Sequence, residues 1–513
     1  MRTWYFLPLL LLCAIYTWKS TFAPIGDFGN YYYAGQFLQQ GIFDSNIYFP
    51  EYFNTKIFDL NQQYSFLSFA PNSPFIALLF APLSFFSVPI AKLVFSLFSV
   101  FLFLYSLVQL NKSYPLSKWT IALLPILIFV PLKNQILFGQ LYFVLFFLLT
   151  MGFLAYKKER WTFLSIWWGL AIMLKIFPVI LILFLLLNGK IKGLVYLIIS
   201  STILLFITLP FTGWHPWVYL LTEVLPRANA GEIAGEYVDH YQSVFMFLKR
   251  LLVFHPVENN SIGFNAPFLF KPIILAFKLM GIATLSFLTW KEKNNLITFS
   301  LWLILSLLLT AYGSTYSFLL FLPFVWAVPQ LRIPFNAQSA LLLLLGIAFN
   351  SSLFPLMHFP FQYLRMFIFM ALFVGIILRY RNSIPLKKIA FAVTLGSFVC
   401  IPFFKITTNE PYATSFSMPI LTYNYRIKNN LLTYFYWNKN GPQKETISYP
   451  ITSVSTSGIE IIENQILYNN QPLTNSSSTK KEARLINGHH ILYLSDAGRG
   501  IGFYQLRIID IEK

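Results

Sequence analysis

Charge is what this chain has least of. Asp, Glu, Lys and Arg make up 11% of its 513 residues, where a soluble globular protein carries roughly 25%. That shortage leaves too little polar surface to hold so long a chain in water. It also excludes a disordered chain and, despite the net charge of +18, a nucleic-acid-binding one. Cysteine is nearly absent. Cys13 and Cys400 both sit in apolar runs, which excludes a disulfide framework and a cysteine-based metal site. Six histidines without ligand spacing, and no Asp-x-Asp, give no metal site, and no cofactor is expected. What the chain has instead is 57% hydrophobic residues, 19% aromatic residues and a mean hydropathy of +0.62. The expected class is an all-α polytopic membrane protein.

Apolar runs recur from the N-terminus to about residue 404. Candidate spans lie near 4–18, 88–109, 119–132, 136–155, 162–174, 176–188, 191–210, 265–289, 296–312, 316–330, 338–350, 362–379 and 388–404. Several fall short of the roughly 20 residues a perpendicular helix needs, so about 11–13 crossings are expected. No small-x-small cleavage site follows the first run, which is therefore expected to stay as an uncleaved helix. With the N-terminus in the cytoplasm, 15 of the 27 Lys and Arg residues before position 406 fall in cytoplasmic segments. The alternate turns, such as 133–135 and 313–315, are poor in charge, as the positive-inside rule requires. Two long segments, about 19–87 and 211–264, then face outward, and so does the tail.

Residues 406–513 change character. Period-two alternation in 459–468 and 503–509, with turn residues between, predicts a small β-rich extracytoplasmic domain after a membrane domain of 1–405. Asn469-Asn470, Asn487-Gly488 and the Gly498–Gly502 stretch are turn candidates. The three glycines of that stretch lack the following helix and Lys-Ser/Thr of a phosphate loop, and read as a hairpin turn. Heavy use of Ile, Phe, Asn and Lys fits an AT-rich bacterial genome, and so a bacterial plasma membrane.

Eleven acidic residues precede position 406, and none lies within a span. A proton- or sodium-coupled transporter keeps ionisable groups at bilayer depth, so their placement argues against that class. Nine of the eleven lie in the two long outer segments. Asp27, about nine residues past the first span, stands in Ile25-Gly26-Asp27-Phe28-Gly29-Asn30-Tyr31-Tyr32-Tyr33. Its spacing fits the N-cap of a helix running to about Gln40, with Tyr31, Tyr32 and Tyr33 as an interfacial belt. The cap is the plainer reading of the spacing; the functional one is a general base at the mouth of a lipid-facing cavity, taking a proton from a sugar hydroxyl.

Asp27 with the Tyr-rich sequence, Ala34, Gly41 and Tyr48 resembles the first outer loop of family 87 glycosyltransferases. Further segments follow in the family's order: Phe69-Ala70-Pro71-Asn72-Ser73-Pro74-Phe75, Phe138-Gly139-Gln140, Gly169-Leu170-Ala171 through Leu174-Lys175-Ile176-Phe177-Pro178, and Gln242-Ser243-Val244 leading to Arg250. The resemblance covers roughly residues 1–330. Two stretches depart from it. Tyr241 stands where the family has Asn, and Ala311–Ser317 lacks the family's Ser-Pro and histidines. The tail has no family counterpart.

The resemblance implies a GT-C type helical bundle and a metal-independent, inverting transfer of a sugar, mannose in the family, from a polyprenyl-phosphate donor to a lipid or glycan acceptor at the outer face. Asp27 would be the general base. Lys175, Arg250 and Lys133 are candidates for holding the donor phosphate. Gln140, His240, Gln242, Tyr31 and Tyr316 are candidates for contacting sugar hydroxyls. Each cation has a plainer reading. Lys133 and Lys175 can snorkel to headgroups, and the amphipathic segment carrying Lys249 and Arg250 can lie on anionic lipid. A lipid-linked sugar transporter, or a GT-C enzyme using another sugar, would share the spans and the aromatic residues.

Overall fold

The computed structural model describes residues 3–62, 66–233, 237, 241–254, 259, 264–353, 359–380, 382, 384–400, 421–438, 440–476, 478–497 and 500–511. It is helical up to Cys400 and built of small antiparallel sheets from Leu421 onward. Among the described residues, six helices are long and apolar enough to cross a membrane, or seven if one bent pair is a single span. The expected 11–13 is higher. The difference lies in shorter apolar helices of 10–17 residues, which fall below the roughly 20 residues of a perpendicular crossing.

The long helices are α1 (Leu7–Phe22), α5 (Val88–Ser113), α11 (Ile191–Thr212), α15 (Pro267–Lys291), α18 (Phe335–Asn350) and α19 (Leu364–Arg379). Among the shorter are α2 (Phe28–Gln39), α3 (Pro50–Asn61), α4 (Pro74–Phe80), α6 (Lys118–Leu127), α7 (Phe129–Phe138), α8 (Tyr142–Lys157), α9 (Trp161–Leu174) and α10 (Leu181–Leu187). The loop after α11 carries α12 (His215–Tyr219), α13 (Leu225–Asn229) and α14 (Val244–Leu252). Helices α16 (Asn295–Leu308), α17 (Pro323–Ala327) and α20 (Leu386–Cys400) complete the helical part.

Helices α6 and α7 make the bent pair, with 56° between them. Pro125 and Pro131 bracket the break at Ile128 and deny it backbone donors. Asn350 repairs the break. Its amide donates to the Ile126 and Leu127 carbonyls at 2.9 and 3.0 Å and accepts from the Val130 N–H at 3.0 Å. Backbone groups freed inside a lipid-facing bundle need such internal partners. The break corrects an expectation. Lys133, read from the sequence as part of a charge-poor turn, lies inside α7. Small residues set close helix contacts elsewhere. A Cβ on Gly152 would sit 2.1 Å from the Trp168 ring, and one on Gly35 would sit 2.6 Å from the Phe80 backbone.

Helix α2 is buried along most of its length, including Tyr31, Tyr32 and Tyr33. These tyrosines do not form an interfacial belt. Tyr32 donates to the Phe86 carbonyl at 2.8 Å and Tyr31 reaches α8's N-terminal turn, so their hydroxyls are satisfied inside the protein.

The strands form three antiparallel sheets. The first is β1 (Leu421–Lys428), β2 (Leu431–Asn438) and β3 (Gly441–Ser448). The second runs β10 (Gln505–Asp510), β9 (His490–Ser495), β8 (Lys480–Ile486), β4 (Val454–Ser455). The third is β5 (Ile459–Ile462), β6 (Gln465–Tyr468) and β7 (Gln471–Pro472). The hairpins turn at Asn429-Asn430, Glu463-Asn464, Asn469-Asn470 and Asn487-Gly488, all at positive φ. The first three are the two-residue turn whose twist matches antiparallel strands, and Asn tolerates it well; in the last, His489 adds a third residue between the Ile486–His490 pair. Two of these four were legible as turns from the sequence.

The sheets dock on the loops at one end of the bundle. Arg227 of α13 places its two terminal nitrogens on the Asp496 carboxylate, each at 2.9 Å. Asp496 also accepts from the Thr479 and Gly502 N–H groups at 2.7 and 2.8 Å. Lys481 meets Glu51 at 3.3 Å. Gly502, at φ +73, packs where a Cβ would stand 2.9 Å from Pro50. Gly502 therefore makes a close approach between chain segments, and strand β10 follows it; Gly498 lies outside the described residues.

Candidate active site

Helix α1 ends before Pro24, since the residue preceding a proline is driven to extended backbone. Gly26 then takes a left-handed conformation (φ +59), and Asp27 opens α2. The Asp27 side chain makes no cap hydrogen bond, and its own backbone is already helical. Its carboxylate turns inward instead. Oδ2 accepts from the Gln140 amide and from the Tyr316 hydroxyl, the latter at 3.3 Å. Among the described residues Oδ1 receives no hydrogen bond, and the side chain keeps an open edge.

Gln140 is placed by the end of α7. Gly139 closes that helix in the left-handed conformation that glycine adopts without strain. Gln135 holds the Gln140 backbone from both sides: its carbonyl accepts the Gln140 N–H at 3.0 Å, and its amide donates to the Gln140 carbonyl. Tyr31 donates to Gln140 Oε1 at 2.7 Å, which aims the amide nitrogen at Asp27. A Cβ on Gly139 would meet Phe28 Cβ at 2.7 Å. Gly139→Ala is therefore expected to push the Gln140 turn off α2, lowering stability by about 1–3 kcal/mol and sugar turnover with it. Thermal unfolding in nanodiscs beside an activity measurement checks both.

Tyr316 comes from the stretch that departs from the family pattern. A 3-10 helix, Thr315–Phe321, carries it. Asn134 of α7 fixes the start of that helix through Thr315 at 2.9 Å. Gly313 packs against Gln242, where a Cβ would stand 2.5 Å from the Gln242 carbonyl oxygen, and the Gly313 carbonyl accepts the Gln242 N–H at 3.0 Å. Ser243 caps α14 through the Met246 N–H and donates to the Ala311 carbonyl at 2.7 Å. The Gln-Ser-Val segment and residues 311–316 thus hold each other. Tyr241 comes with them, its ring 5.1 Å from that of Tyr312 and within electrostatic reach of Asp27.

Lys175 ends α9, just outside its apolar run. Nζ donates to Asn72 Oδ1 at 2.8 Å, and Asn72 sits in the Pro71–Pro74 segment that enters α4. Ser73 beside it donates to the Met173 carbonyl. Burial lowers the Lys175 ammonium to about 8, against the pull of Asp27 in the other direction. Burial raises the Asp27 carboxyl above the ordinary carboxylate range; hydrogen bonds from Gln140 and Tyr316 and the charges of Lys175 and Lys92 hold it lower than burial alone would. A half-open carboxylate, two lysines and four tyrosines (Tyr31, Tyr142, Tyr241 and Tyr316) therefore share one site.

The other candidates stand apart. Arg250 has Tyr363 for a neighbour and is not among the charges acting on Asp27. Lys249 beside it is buried, 5.2 Å from the Tyr237 ring, so that lysine is turned into the protein and away from headgroups. Lys133 lies 6.0 Å from the Phe129 ring, away from Asp27's partners. Gln242 spends its amide nitrogen on the Gln362 carbonyl at 2.7 Å. His240 lies outside the described residues. Among the described residues no three His, Cys, Asp or Glu side chains stand together as a metal site. Sequence reasoning missed Lys92, which donates to the Pro24 carbonyl at 2.9 Å from within α5. A lone lysine inside an otherwise apolar span is itself the signal that would have found it. Asn72 and Tyr142 were missed as well; the first was visible as a polar residue between two prolines.

Residues 70–311 match the sequence model of glycosyltransferase family 87. The match includes Asn72, Gln140, Lys175, Gln242 and Arg250 and stops short of Asp27 and Tyr316 on either side. No curated protein and no solved structure matches the chain. Through residues 70–311 the chain belongs to glycosyltransferase family 87, and it is a multi-pass membrane glycosyltransferase.

Proposed function

We propose that the enzyme moves a sugar, mannose by family resemblance, from a polyprenyl-phosphate donor to a lipid or glycan acceptor, with Asp27 as general base. The observation that carries this reading is the Asp27 carboxylate, held on one oxygen by Gln140 and Tyr316 with its other oxygen open and a lysine on the same site. The acceptor hydroxyl gives its proton to Asp27 as its oxygen bonds to the anomeric carbon. The bond from that carbon to the phosphate oxygen breaks, and polyprenyl phosphate leaves. Attack opposite the leaving group inverts the anomeric centre. Lys175, with Asn72 behind it, receives the charge that grows on the phosphate, where a preorganised cation is worth most.

The membrane flank supports a lipid donor. An apolar groove of about 370 Å³ runs between α9 and α11, lined by Ile166, Leu170, Ile199 and Leu204. Helix α9 continues from Leu170 to Lys175, roughly 7–8 Å at helical rise. A prenyl chain in that groove brings its phosphate to the lysine. The positive-inside pattern puts this end, the two long loops and a tail domain of 406–513 outside the cytoplasm, with 1–405 as the membrane catalytic domain.

The test is the purified full-length chain in lipid nanodiscs with radiolabelled polyprenyl-phosphate-mannose and lipid acceptors. The parent is expected to release polyprenyl phosphate. Lys175→Met is expected to lose about 10²-fold in rate, the scale of one lost electrostatic contact to a developing anion. If no preparation consumes a lipid-phosphate sugar, the donor class is wrong; if Lys175→Met keeps the parent's rate, the phosphate lies elsewhere.

A further inference from the structure

A second concavity lies away from Asp27, in the seam between the loops and the strands. It has a volume of about 420 Å³, and its wall includes Phe49 from the first loop, His215, Tyr219 and Glu223 from the second, and Asn464 and Thr479 from the strand region. We propose that this cleft is a subsite for the saccharide part of the acceptor. The inference rests on the transferase reading above and adds to it where the receiving sugar sits.

The side chains present are those a polyol needs. Two aromatic rings offer faces for the C–H side of a sugar ring. A carboxylate, an imidazole and an amide offer donors and acceptors for its hydroxyls. These polar groups are uncommitted: among the described residues the side chains of His215, Glu223 and Asn464 make no hydrogen bond, and His215 and Glu223 are exposed. The volume falls within the range of ordinary small-molecule pockets.

The wall is also built to hold its shape. Asn464 occupies the left-handed corner of the β5–β6 hairpin (φ +63). Its carbonyl accepts from Lys480 at 2.8 Å, and the same buried ammonium meets the carbonyl and hydroxyl oxygens of Ser476 and Ser478. Thr479 is held by Arg227 at 3.3 Å, beside the buried Arg227–Asp496 pair. The strand side of the cleft is thus fastened to the loop side, and the cleft exists only while the strands are docked.

A short chain of side-chain contacts links the cleft to the Asp27 site. The Tyr219 ring lies 5.8 Å from each of the Tyr48 and Phe49 rings. The Tyr48 hydroxyl donates to the Asn72 carbonyl at 2.9 Å, and Asn72 Oδ1 accepts from Lys175. A sugar stacked on Tyr219 is one side chain removed from the segment that holds the proposed phosphate ligand. An acceptor seated there extends toward Asp27, while the donor's prenyl chain stays on the membrane flank.

The experiment is saturation-transfer NMR on the full chain in nanodiscs, with mannobiose, maltose and arabinobiose as probes. At least one disaccharide is expected to bind. Glu223→Gln, an exposed change that leaves the fold intact, and Tyr219→Ala are each expected to weaken it about tenfold, the worth of one lost hydrogen bond or ring contact. Asp27→Asn should bind it as the parent does. Absence of binding by all three probes, or binding unchanged in both cleft variants, overturns the proposal. Release of polyprenyl phosphate, measured on the same preparations, separates the two readings. Donor cleavage without disaccharide binding removes the cleft alone, and disaccharide binding without donor cleavage removes the transferase assignment of Asp27.

Discussion

Asp27→Asn is expected to lower sugar transfer by about 10³-fold, within the 10²–10⁴ range of a positioned general base, with little change in thermal stability. The amide is nearly isosteric, and its oxygen still accepts from Gln140 and Tyr316, so the turn between α1 and α2 keeps its partners. What it loses is the capacity to take a proton. A merely structural Asp27 would show the opposite pattern, an altered unfolding transition with activity retained. The pH profile gives a second, independent readout. A base must be ionised to work, so activity falls as pH drops through the Asp27 pKa. Burial raises that pKa, which puts the acid limb above the ordinary carboxylate value of about 4. The Gln140 hydrogen bond lowers it. Gln140→Leu should therefore move the acid limb to still higher pH, and a limb that stays put would separate Gln140 from the base.

The second large effect is at the docking seam. Arg227→Ala is expected to cost about 3–5 kcal/mol, because it strands a buried carboxylate. Arg227 and Asp496 have side-chain exposures of 6% and 0%. Burial opposes the charge on Arg227, but the Asp496 and Glu232 carboxylates outweigh it and keep the guanidinium protonated. In the variant, Asp496 keeps, among the described residues, the Thr479 and Gly502 N–H groups. Arg227→Lys keeps a charge but loses the two-pronged geometry, and a smaller loss of about 1–2 kcal/mol follows. Denaturant unfolding followed by limited proteolysis should show the strand region released in a separate, earlier transition in Arg227→Ala. Coincident unfolding of both parts at the parent midpoint would mean that the seam contributes nothing to docking.

The class of protein was readable from composition and the apolar runs alone, because lipid demands long stretches without charge whatever the fold. The change to strands in the tail, which begin at Leu421 among the described residues, was readable because period-two alternation and Asn-rich turns are local properties. Motif order singled out Asp27, Gln140 and Lys175 as candidates for the same reason: Gly26 precedes Asp27, Gly139 precedes Gln140, and Pro178 follows three residues after Lys175. Only the tertiary structure decided that Asp27 faces Gln140 and Tyr316 in place of its own helix end, since those partners lie 113 and 289 positions away. It likewise drew Lys92 and Tyr241 toward the carboxylate, left Arg250 beside Tyr363, and put Lys133 inside a helix bent at two prolines. Such choices rest on packing between distant segments, and sequence spacing carries no record of which buried groups will meet. The strand region's seat on the loops was equally invisible, because Arg227 and Asp496 are ordinary surface-type residues until folding buries them against each other.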